Sequence, residues 1–430
     1  MESYSLKRPA ASRIFFAMVL GIFTGFMFGD ACRALAPIGN AFVMLLKMTV
    51  LPYMVCSLVH GTGSMPPESA RKLLSAGLVV VSGAWIIILC VIEGLAGTYP
   101  AAHAGGPTPF TTDSVGIAGH LLQVLIPENV FAALANNVVP AIVLFSLLFG
   151  AALLRTANKR HLLDFFSGAL EVLTRMAQWI GHLAPIGVFA LLAVSTGTWT
   201  LAEFCKIELY ILTSVFGCLI LTFWTIPTLC RAITPISPWR LLRELKAPML
   251  LAFTAGTTLI AIPYLIEGLK RVLEPRSSSN ERTSFETLVP LVFNIPFGNL
   301  FVLLSVFFFA FFFNIPVSFV HHVKVLLLGV LAVFGSPINS ISFLIDQIGL
   351  PPEATSLFIA TYPLTQNFLS LFGSLAIAMV SLTILLASEK RLTPRIPRII
   401  LSLGGTAILV TIVAVMLKMS GVVQLAQPCS

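Results

Sequence analysis

Small and polar residues interrupt two apolar segments in the second half of the sequence, and these interruptions are the places most suited to bind a ligand. The segment 248–269 is broken at residues 255–258, and the segment 325–348 is broken at residues 335–340. A helix that breaks inside a membrane leaves backbone amides that attract an anion and carbonyls that hold a cation. Paired breaks of this kind indicate two re-entrant hairpins around one binding site, and simple kinks between spans are the alternative. The predicted substrate-binding residues at the breaks are Gly256, Thr257, Thr258, Ser336, Asn339 and Ser340.

Two further segments place uncharged polar side chains inside apolar helices. Asn294 and Asn299 lie on either side of Pro296. We expect them either to bind an ion or to bond the backbone groups that the proline frees. Residues 361–367 contain four polar side chains, which either bind substrate or bond neighbouring helices, and helical spacing puts the two threonines on one face. The predicted substrate-binding residues of this stretch are Thr361, Thr365, Gln366 and Asn367.

The composition predicts that these residues lie in a membrane. Of the 430 residues, 57% are hydrophobic and 10% are charged. Soluble domains carry about 25% charged residues. Apolar runs of the length that crosses a bilayer recur along the whole chain. The sequence therefore predicts an all-α integral membrane protein.

The distribution of charge predicts the orientation of the chain. The net charge is +8, and the basic residues cluster in short alternate connectors, whereas the connector 96–115 contains no Lys or Arg. This alternation is typical of cytoplasmic basic loops. It predicts an inner-membrane protein with a cytoplasmic N-terminus and, after a final span near residues 399–420, a periplasmic or extracellular C-terminus. Nucleic acid is not expected as a partner, because the basic residues are not interleaved with aromatic ones.

No pattern typical of an enzyme, a metal site or an ATP-driven pump occurs in the sequence. A phosphate-binding G-x-x-x-x-G-K-[ST] loop and zinc-ligand spacing are both missing. An ionisable residue within an apolar run is a functional candidate, but we interpret Glu93 and Asp346 as helix-end residues in headgroups or water. We likewise interpret the adjacent His321 and His322 as solvated residues of a connector, in preference to a metal or proton site.

Several motifs occur in an order that matches one family of transporters. In the first half they are Ala-Pro-Ile-Gly at 36–39, Leu-Ile-Pro-Glu-Asn-Val-Phe at 125–131 and Ala-Pro-Ile-Gly-Val-Phe-Ala at 184–190. In the second half, residues 252–263 align without gaps to the first re-entrant hairpin of that family. The serine-rich tip of the family's hairpin falls on residues 256–258, at the predicted break. Together these motifs resemble the glutamate/dicarboxylate transporter family, the dicarboxylate/amino acid:cation symporters, over about residues 14–388.

The resemblance implies an architecture. It implies eight transmembrane helices, two re-entrant hairpins, a homotrimer, and an elevator-like transport domain that moves against a scaffold. By this resemblance residues 1–240 form scaffold-type helices one to six, some of which contribute to the transport domain, and residues 241–388 form the transport core. Residues 389–430 form a basic connector and an additional transmembrane helix. That helix resembles one that leads to a periplasmic solute-binding domain in a divergent branch, so a solute-binding protein is a possible partner.

The sequence departs from the family pattern at two places. Residues 296–300 carry no carboxylate where the family has an Asn-Met-Asp-Gly-Thr motif, and residues 357–376 carry no charged residue where the family has Asp and Arg. We expect a secondary transporter of a small polar solute, an amino acid or a dicarboxylate, with Na⁺ or H⁺ as the coupling ion. The alternative is a transporter-like receptor or scaffold that works with a separate solute-binding protein, without coupled uptake.

Overall fold

A computed structural model describes most of the chain, and every regular element in the described part is helical. The described residues are 10–64, 67–99, 126–136, 138–156, 158–198, 201–258, 261–273, 285, 288–334 and 337–419. Six helical stretches in this part are long and apolar enough to cross a membrane, and three shorter apolar helices accompany them. This architecture confirms the predicted all-α class and agrees with a membrane protein.

The described part of the first half of the chain contains six helices, and the longest of them, α6, packs against α1 and α2. Their bounds are α1 Ala10–Phe28, α2 Ala36–Gly63, α3 Pro67–Ala96, α4 Val130–Ala135, α5 Val139–Leu154 and α6 Lys159–Thr198. The helix α6 lies along both α1 and α2. Glycines allow this approach, because a methyl group at Gly21 would lie 2.8 Å from the carbonyl oxygen of Phe189 and one at Gly187 would overlap the ring of Phe42. Small residues therefore set the distance between these helices.

The second half contains two pairs of helices that each pack side by side. The bounds are α7 Leu201–Ile220, α8 Ile226–Ile233, α9 Pro238–Ala255, α10 Ile262–Leu273, α11 Val302–Phe312, α12 Phe319–Ala332, α13 Pro337–Ile348, α14 Glu353–Ser388 and α15 Ile396–Met419. A π-helical turn, Leu221–Thr225, joins α7 to α8. The helix α9 packs against α10, and α12 packs against α13. A break in the helix therefore occurs in both predicted segments.

The helix α14 forms the centre of this half. Its most apolar stretch is entirely buried within the protein, and it packs against α3, α7, α9 and α13. A helix that is apolar on all sides is typical of such a central position. The buried polar side chains on α14, such as those of Thr361, Ser370 and Ser374, therefore face protein groups.

Hydrogen bonds join the connector that precedes the last helix, α15, to the C-terminal end of α8. In this connector the backbone amide of Thr393 donates to the carbonyl oxygen of Ile233 at 3.0 Å and that of Arg395 donates to Ala232 at 2.9 Å. These bonds satisfy carbonyl groups at the C-terminus of α8, which have no partner within that helix. The connector between α14 and α15 therefore lies against the C-terminal end of α8.

Further along, α15 packs against α3, α7 and α8. Two pairs of hydroxyl groups join it to α8 and the preceding turn: Ser402 lies 2.6 Å from Thr228, and Thr406 lies 3.0 Å from Thr225. Hydrogen bonds of this kind stabilise helix pairs in a membrane by about 0.6 to 2 kcal/mol each. The helix α15 is therefore packed into the protein along much of its length.

The second break is shorter than the sequence predicted. We expected residues 335–340 to be irregular, but α13 begins at Pro337, so Asn339 and Ser340 are helical. Proline is well suited to the first turn of a helix, because its φ is fixed and its missing N–H would be unpaired there anyway. The Ser340 hydroxyl donates to the carbonyl oxygen of Ala332 at 2.8 Å and so joins the two helices of this pair.

The packing of α15 gives a prediction with a matched control. A side chain at Gly405 would lie 2.8 Å from the ring of Trp224, whereas nothing lies within 4 Å of the same position at Gly404. We expect Gly405→Leu to destabilise the protein by about 1–3 kcal/mol, the usual effect of overpacking. Thermal unfolding of the purified protein in detergent measures this effect. Gly404→Leu should leave the midpoint unchanged or raise it, and equal midpoints for the two variants would contradict the packing described.

Candidate solute site

The break after α9 lies directly against α14. The helix α9 ends at Gly256, whose φ of 65° is in the left-handed region that glycine adopts without strain. The side-chain amide of Gln366 donates to the carbonyl oxygen of Gly256 at 2.7 Å. A methyl group at Gly256 would lie 2.9 Å from Oδ1 of Asn367. Two of the predicted polar residues of α14 therefore contact the first break.

The same part of α14 also meets the irregular segment before α11. A methyl group at Gly373 would lie 3.4 Å from Cγ2 of Thr258 and 3.9 Å from the backbone nitrogen of Gly298. A methyl group at Gly298 would lie 2.9 Å from the carbonyl oxygen of Leu369. The first break and the segment around Gly298 therefore converge on residues 366–373 of α14. Thr257, next along the chain, is half-buried.

Asn299 connects this region to the second break. Its Nδ2 donates to the carbonyl oxygen of Val333, at the end of α12, over a long distance of 3.5 Å. The predicted residue Ser336 lies outside the described residues. Asn339 and Ser340 follow it on α13 and are buried, with 2% and 0% exposure. The second break therefore approaches the same region through Asn299.

Three predicted residues make other contacts. Asn294 accepts a hydrogen bond from the Ser57 hydroxyl of α2 at 2.6 Å, and its Nδ2 donates to the carbonyl oxygen of Pro290 at 3.0 Å. This is the helix-bonding alternative that we considered for it. The hydroxyls of Thr361 and Thr365 are buried and donate to backbone carbonyls of α14 itself, at 2.9 and 3.2 Å.

The side chains that meet at the breaks are uncharged. The amides of Gln366 and Asn367 and the hydroxyls of Thr257 and Thr258 supply both donors and acceptors. Carbonyl groups at the C-terminus of α9 carry partial negative charge and suit a cation. In the part of the chain that the structure describes, no group of three His, Cys, Asp or Glu residues is arranged to hold a metal ion. This arrangement can bind a small polar solute through neutral hydrogen bonds.

A contact between two titratable residues, Glu93 and His322, was not predicted. Nδ1 of His322 lies 2.9 Å from Oε2 of Glu93, and the imidazole stacks on the ring of Phe307 with 4.5 Å between centroids. The interpretation of His321 and His322 as connector residues is wrong, because both lie in the first turns of α12. Glu93 lies near the end of α3, as expected, and in addition contacts another helix. The apolar run around Glu93 was a signal for a functional residue, but its partner is 229 positions away.

The left-handed residue at the first break gives a second prediction. Alanine at position 256 would take a conformation that is unfavourable by about 1–2 kcal/mol for an L-residue, and its methyl group would press on Asn367. We expect Gly256→Ala to lower the thermal midpoint and to weaken solute uptake. The control is Gly83→Ala on α3, which meets nothing within 4 Å. A Gly256→Ala protein with the midpoint and uptake of the unmodified protein would show that the break tolerates a side chain.

Comparison with known proteins finds a matching family and several related transport proteins. The sequence matches the sodium:dicarboxylate symporter family over residues 11–384. It is 26% identical to the proton/glutamate-aspartate symporter of Escherichia coli (strain K12), over 83% of this chain and 87% of that protein. It is 25% identical to the protein of the same name from Bacillus subtilis (strain 168), over 82% and 88% of the two chains. It is also 26% identical to a C4-dicarboxylate transport protein of Pseudomonas savastanoi pv. phaseolicola (strain 1448A / Race 6), over 62% and 61%.

The match covers most of the chain, including both breaks and most of α14, whereas α15 lies beyond the matched residues. Proteins of a symporter family move solutes across membranes and are not enzymes. The chain belongs to the sodium:dicarboxylate symporter family and is a membrane symporter.

Proposed function

We propose that this protein carries an acidic amino acid or a C4-dicarboxylate across the inner membrane, together with a cation. The observation that carries this proposal is the convergence of the first break and the segment around Gly298 on residues 366–373 of α14, within a chain of this symporter family. The names of the relatives support the choice of solute, since they refer to glutamate, aspartate and C4-dicarboxylates.

The solute would be held by uncharged groups. We assign binding to Gly256, Thr257, Thr258, Ser336, Asn339, Ser340, Thr361, Thr365, Gln366 and Asn367. Of these, Gln366 and Asn367 are best placed, because they lie at the first break. A carboxylate can accept hydrogen bonds from neutral amides and hydroxyls, and the loss of the family's arginine would then weaken affinity without abolishing binding. Thr361 and Thr365 would contribute only if their bonds to the α14 backbone rearrange.

The coupling ion in this proposal is a proton, with Na⁺ as the alternative. Two relatives are named proton symporters. The stretches 296–300 and 357–376 contain no carboxylate, and hard cations such as Na⁺ favour oxygen ligands that include carboxylates. Asn294 and Asn299 remain the proposed ion ligands if Na⁺ is used. Because Oδ1 of Asn294 already accepts a hydrogen bond from the Ser57 hydroxyl, Asn299 is the better candidate of the two.

The architecture follows the family in this proposal. The helix pairs α9–α10 and α12–α13 would be re-entrant hairpins among eight spanning helices, with α15 as an added span that places the C-terminus outside. Residues 241–388 would move as the core of an elevator against scaffold helices within 1–240, with 389–430 as the connector and added span. The exposed apolar side chains of α6, such as Phe165, Val172 and Trp179, would face lipid or the other subunits of a homotrimer. A periplasmic solute-binding protein remains a possible partner.

A receptor or scaffold without coupled uptake is not favoured. The family and the relatives are described as symporters and transport proteins, and nothing in the described residues points to a signalling surface in place of a solute site.

Uptake into proteoliposomes tests this function. We expect purified protein to accumulate labelled L-aspartate, L-glutamate or succinate under an inward proton gradient, and to stop when an ionophore removes the gradient. A sodium gradient at equal pH on both sides distinguishes the alternative ion. If no solute of this panel is taken up under either gradient, the proposal of coupled uptake is wrong.

The same assay tests the role of α14. Gln366→Leu removes the side-chain amide that we assign to the solute, together with its bond to Gly256. We expect the apparent KM to rise by about tenfold, since one lost hydrogen bond to the solute is worth about 1–3 kcal/mol. Ser374→Ala is the matched control, because the Ser374 hydroxyl is also buried on α14 but bonds the carbonyl oxygen of Leu371. An unchanged KM for Gln366→Leu would place the solute elsewhere.

A further inference from the structure

A carboxyl group and an imidazole meet within the helical body, apart from residues 366–373 of α14. Glu93 is near the end of α3, and His322 is in the first turns of α12. Glu93 Oε2 and His322 Nδ1 are 2.9 Å apart, and the two side chains are 31% and 33% exposed. A hydrogen bond of this length has one proton between its two atoms. The Glu93–His322 pair is thus a titratable unit with limited access to water.

The environment of the second carboxyl oxygen of Glu93 favours binding of a proton by the pair. Oε1 is buried and has no hydrogen-bond partner within the described residues. A buried anionic oxygen without a donor is unfavourable, since it has lost its water and gained no replacement. With a neutral imidazole the pair has a net charge of −1. Binding one proton makes it neutral, either as carboxylic acid with imidazole or as carboxylate with imidazolium.

We propose that the Glu93–His322 pair binds the proton that is carried with the solute. This inference rests on the proposed proton symport and adds to it the residues that hold the proton. The step balances without another reactant: one proton binds from the side where it is abundant and leaves to the other side. A neutral pair is less costly than a charged one to hold in low dielectric, so the protonated state favours movement of the helices that carry it.

The position of the pair connects it to the second break. Trp85 lies about two turns before Glu93 on α3. Its ring packs edge-on against the ring of Phe334, just beyond the end of α12, with 5.5 Å between the ring centroids. The helix α3 therefore contacts α12 both at its start, through His322, and at its end, beside the break. A change in the charge of the pair would thus change how firmly the helix leading to the break is held.

Other titratable groups on the packed elements define the surroundings of the pair. His321 interacts electrostatically with Lys324 and with His322 on the same helix, and the ammonium of Lys206 donates to the carbonyl oxygen of Phe312 at 3.1 Å. The remaining charged residues of α3 lie near its other end, about 30 Å away along the helix. The titratable residues on the ends of the packed elements nearest the pair include Cys90, Tyr99, Glu203, Cys205, Lys206, Glu208, Tyr210, His321, Lys324, Asp346, Glu353 and Lys418.

The first test needs no solute. Infrared difference spectra of the protein in liposomes, recorded between acid and alkaline pH, contain a C=O band for each carboxyl group that is protonated. We expect Glu93→Gln to remove the band of a carboxyl group whose C=O accepts no hydrogen bond, which lies at higher frequency than that of a hydrated carboxyl group. Glu208→Gln should remove only a band of the hydrated kind, because Glu208 is an exposed glutamate on α7. If the proton is held on the imidazole instead, the ring bands of His322 change with pH, and His322→Gln removes that change. Difference spectra of Glu93→Gln and His322→Gln that both match that of the unmodified protein overturn the proposal.

The second test uses transport. Glutamine at position 93 resembles the protonated acid but cannot bind or release a proton. A proton gradient therefore cannot favour one orientation of the carrier over the other through this site. We expect Glu93→Gln to lose about tenfold or more of the uptake driven by a proton gradient, while exchange of internal for external aspartate continues. Continued exchange also establishes that the variant is folded. Glu208→Gln should behave as the unmodified protein.

The outcomes separate the two proposals. Gradient-driven uptake by Glu93→Gln at the rate of the unmodified protein overturns the assignment of the proton to this pair. If the unmodified protein transports none of the solutes, the proposed function fails, and the infrared band then shows alone whether the pair binds a proton.

Discussion

Hydrocarbon offers no hydrogen bonds, and this constraint determines how the protein can interrupt its helices. A backbone group left unpaired in lipid costs several kcal/mol, so irregular backbone has to be enclosed by protein. The central helix α14, whose most apolar stretch is buried in the protein, provides that enclosure. Its Gln366 bonds the carbonyl oxygen exposed by the turn at Gly256, and its backbone closes over Gly298. On the other side, Ser340 satisfies a carbonyl at the end of α12.

The same constraint explains why the region around α14 is polar and yet uncharged. Amides and hydroxyls can satisfy a broken backbone and still bind a solute, whereas a charged side chain would need a permanent partner. Ionisable side chains are found away from this region, as in the contact between Glu93 of α3 and His322 of α12. In the proposed mechanism, α14 contributes to solute recognition and α3 to proton binding, and the helix pair α12–α13 contributes to both.

Much of the fold could be predicted from the sequence, because hydrophobic length and glycine-proline breaks are local signals. The spans, the break at Gly256 and the helix containing Thr361 to Asn367 were all read from such patterns. The end of the second break was misplaced, since the helix-starting role of Pro337 outweighed the polar residues after it. The contacts of Asn294 with Ser57 and of Glu93 with His322 could not be predicted, because each joins helices far apart in sequence and depends on which faces meet.

The bond between Ser57 and Asn294 has a consequence for the resting carrier. It joins α2, a scaffold-type helix in the proposed division, to the core, and lies apart from the residues that contact the break at Gly256. If the core slides past α2, this bond has to break in every cycle and can reform in only one end position. A net value of about 1 kcal/mol corresponds to roughly a fivefold bias between the two positions. The hydrogen bond of a single hydroxyl would thus stabilise one end position, so that the empty protein faces one side of the membrane most of the time.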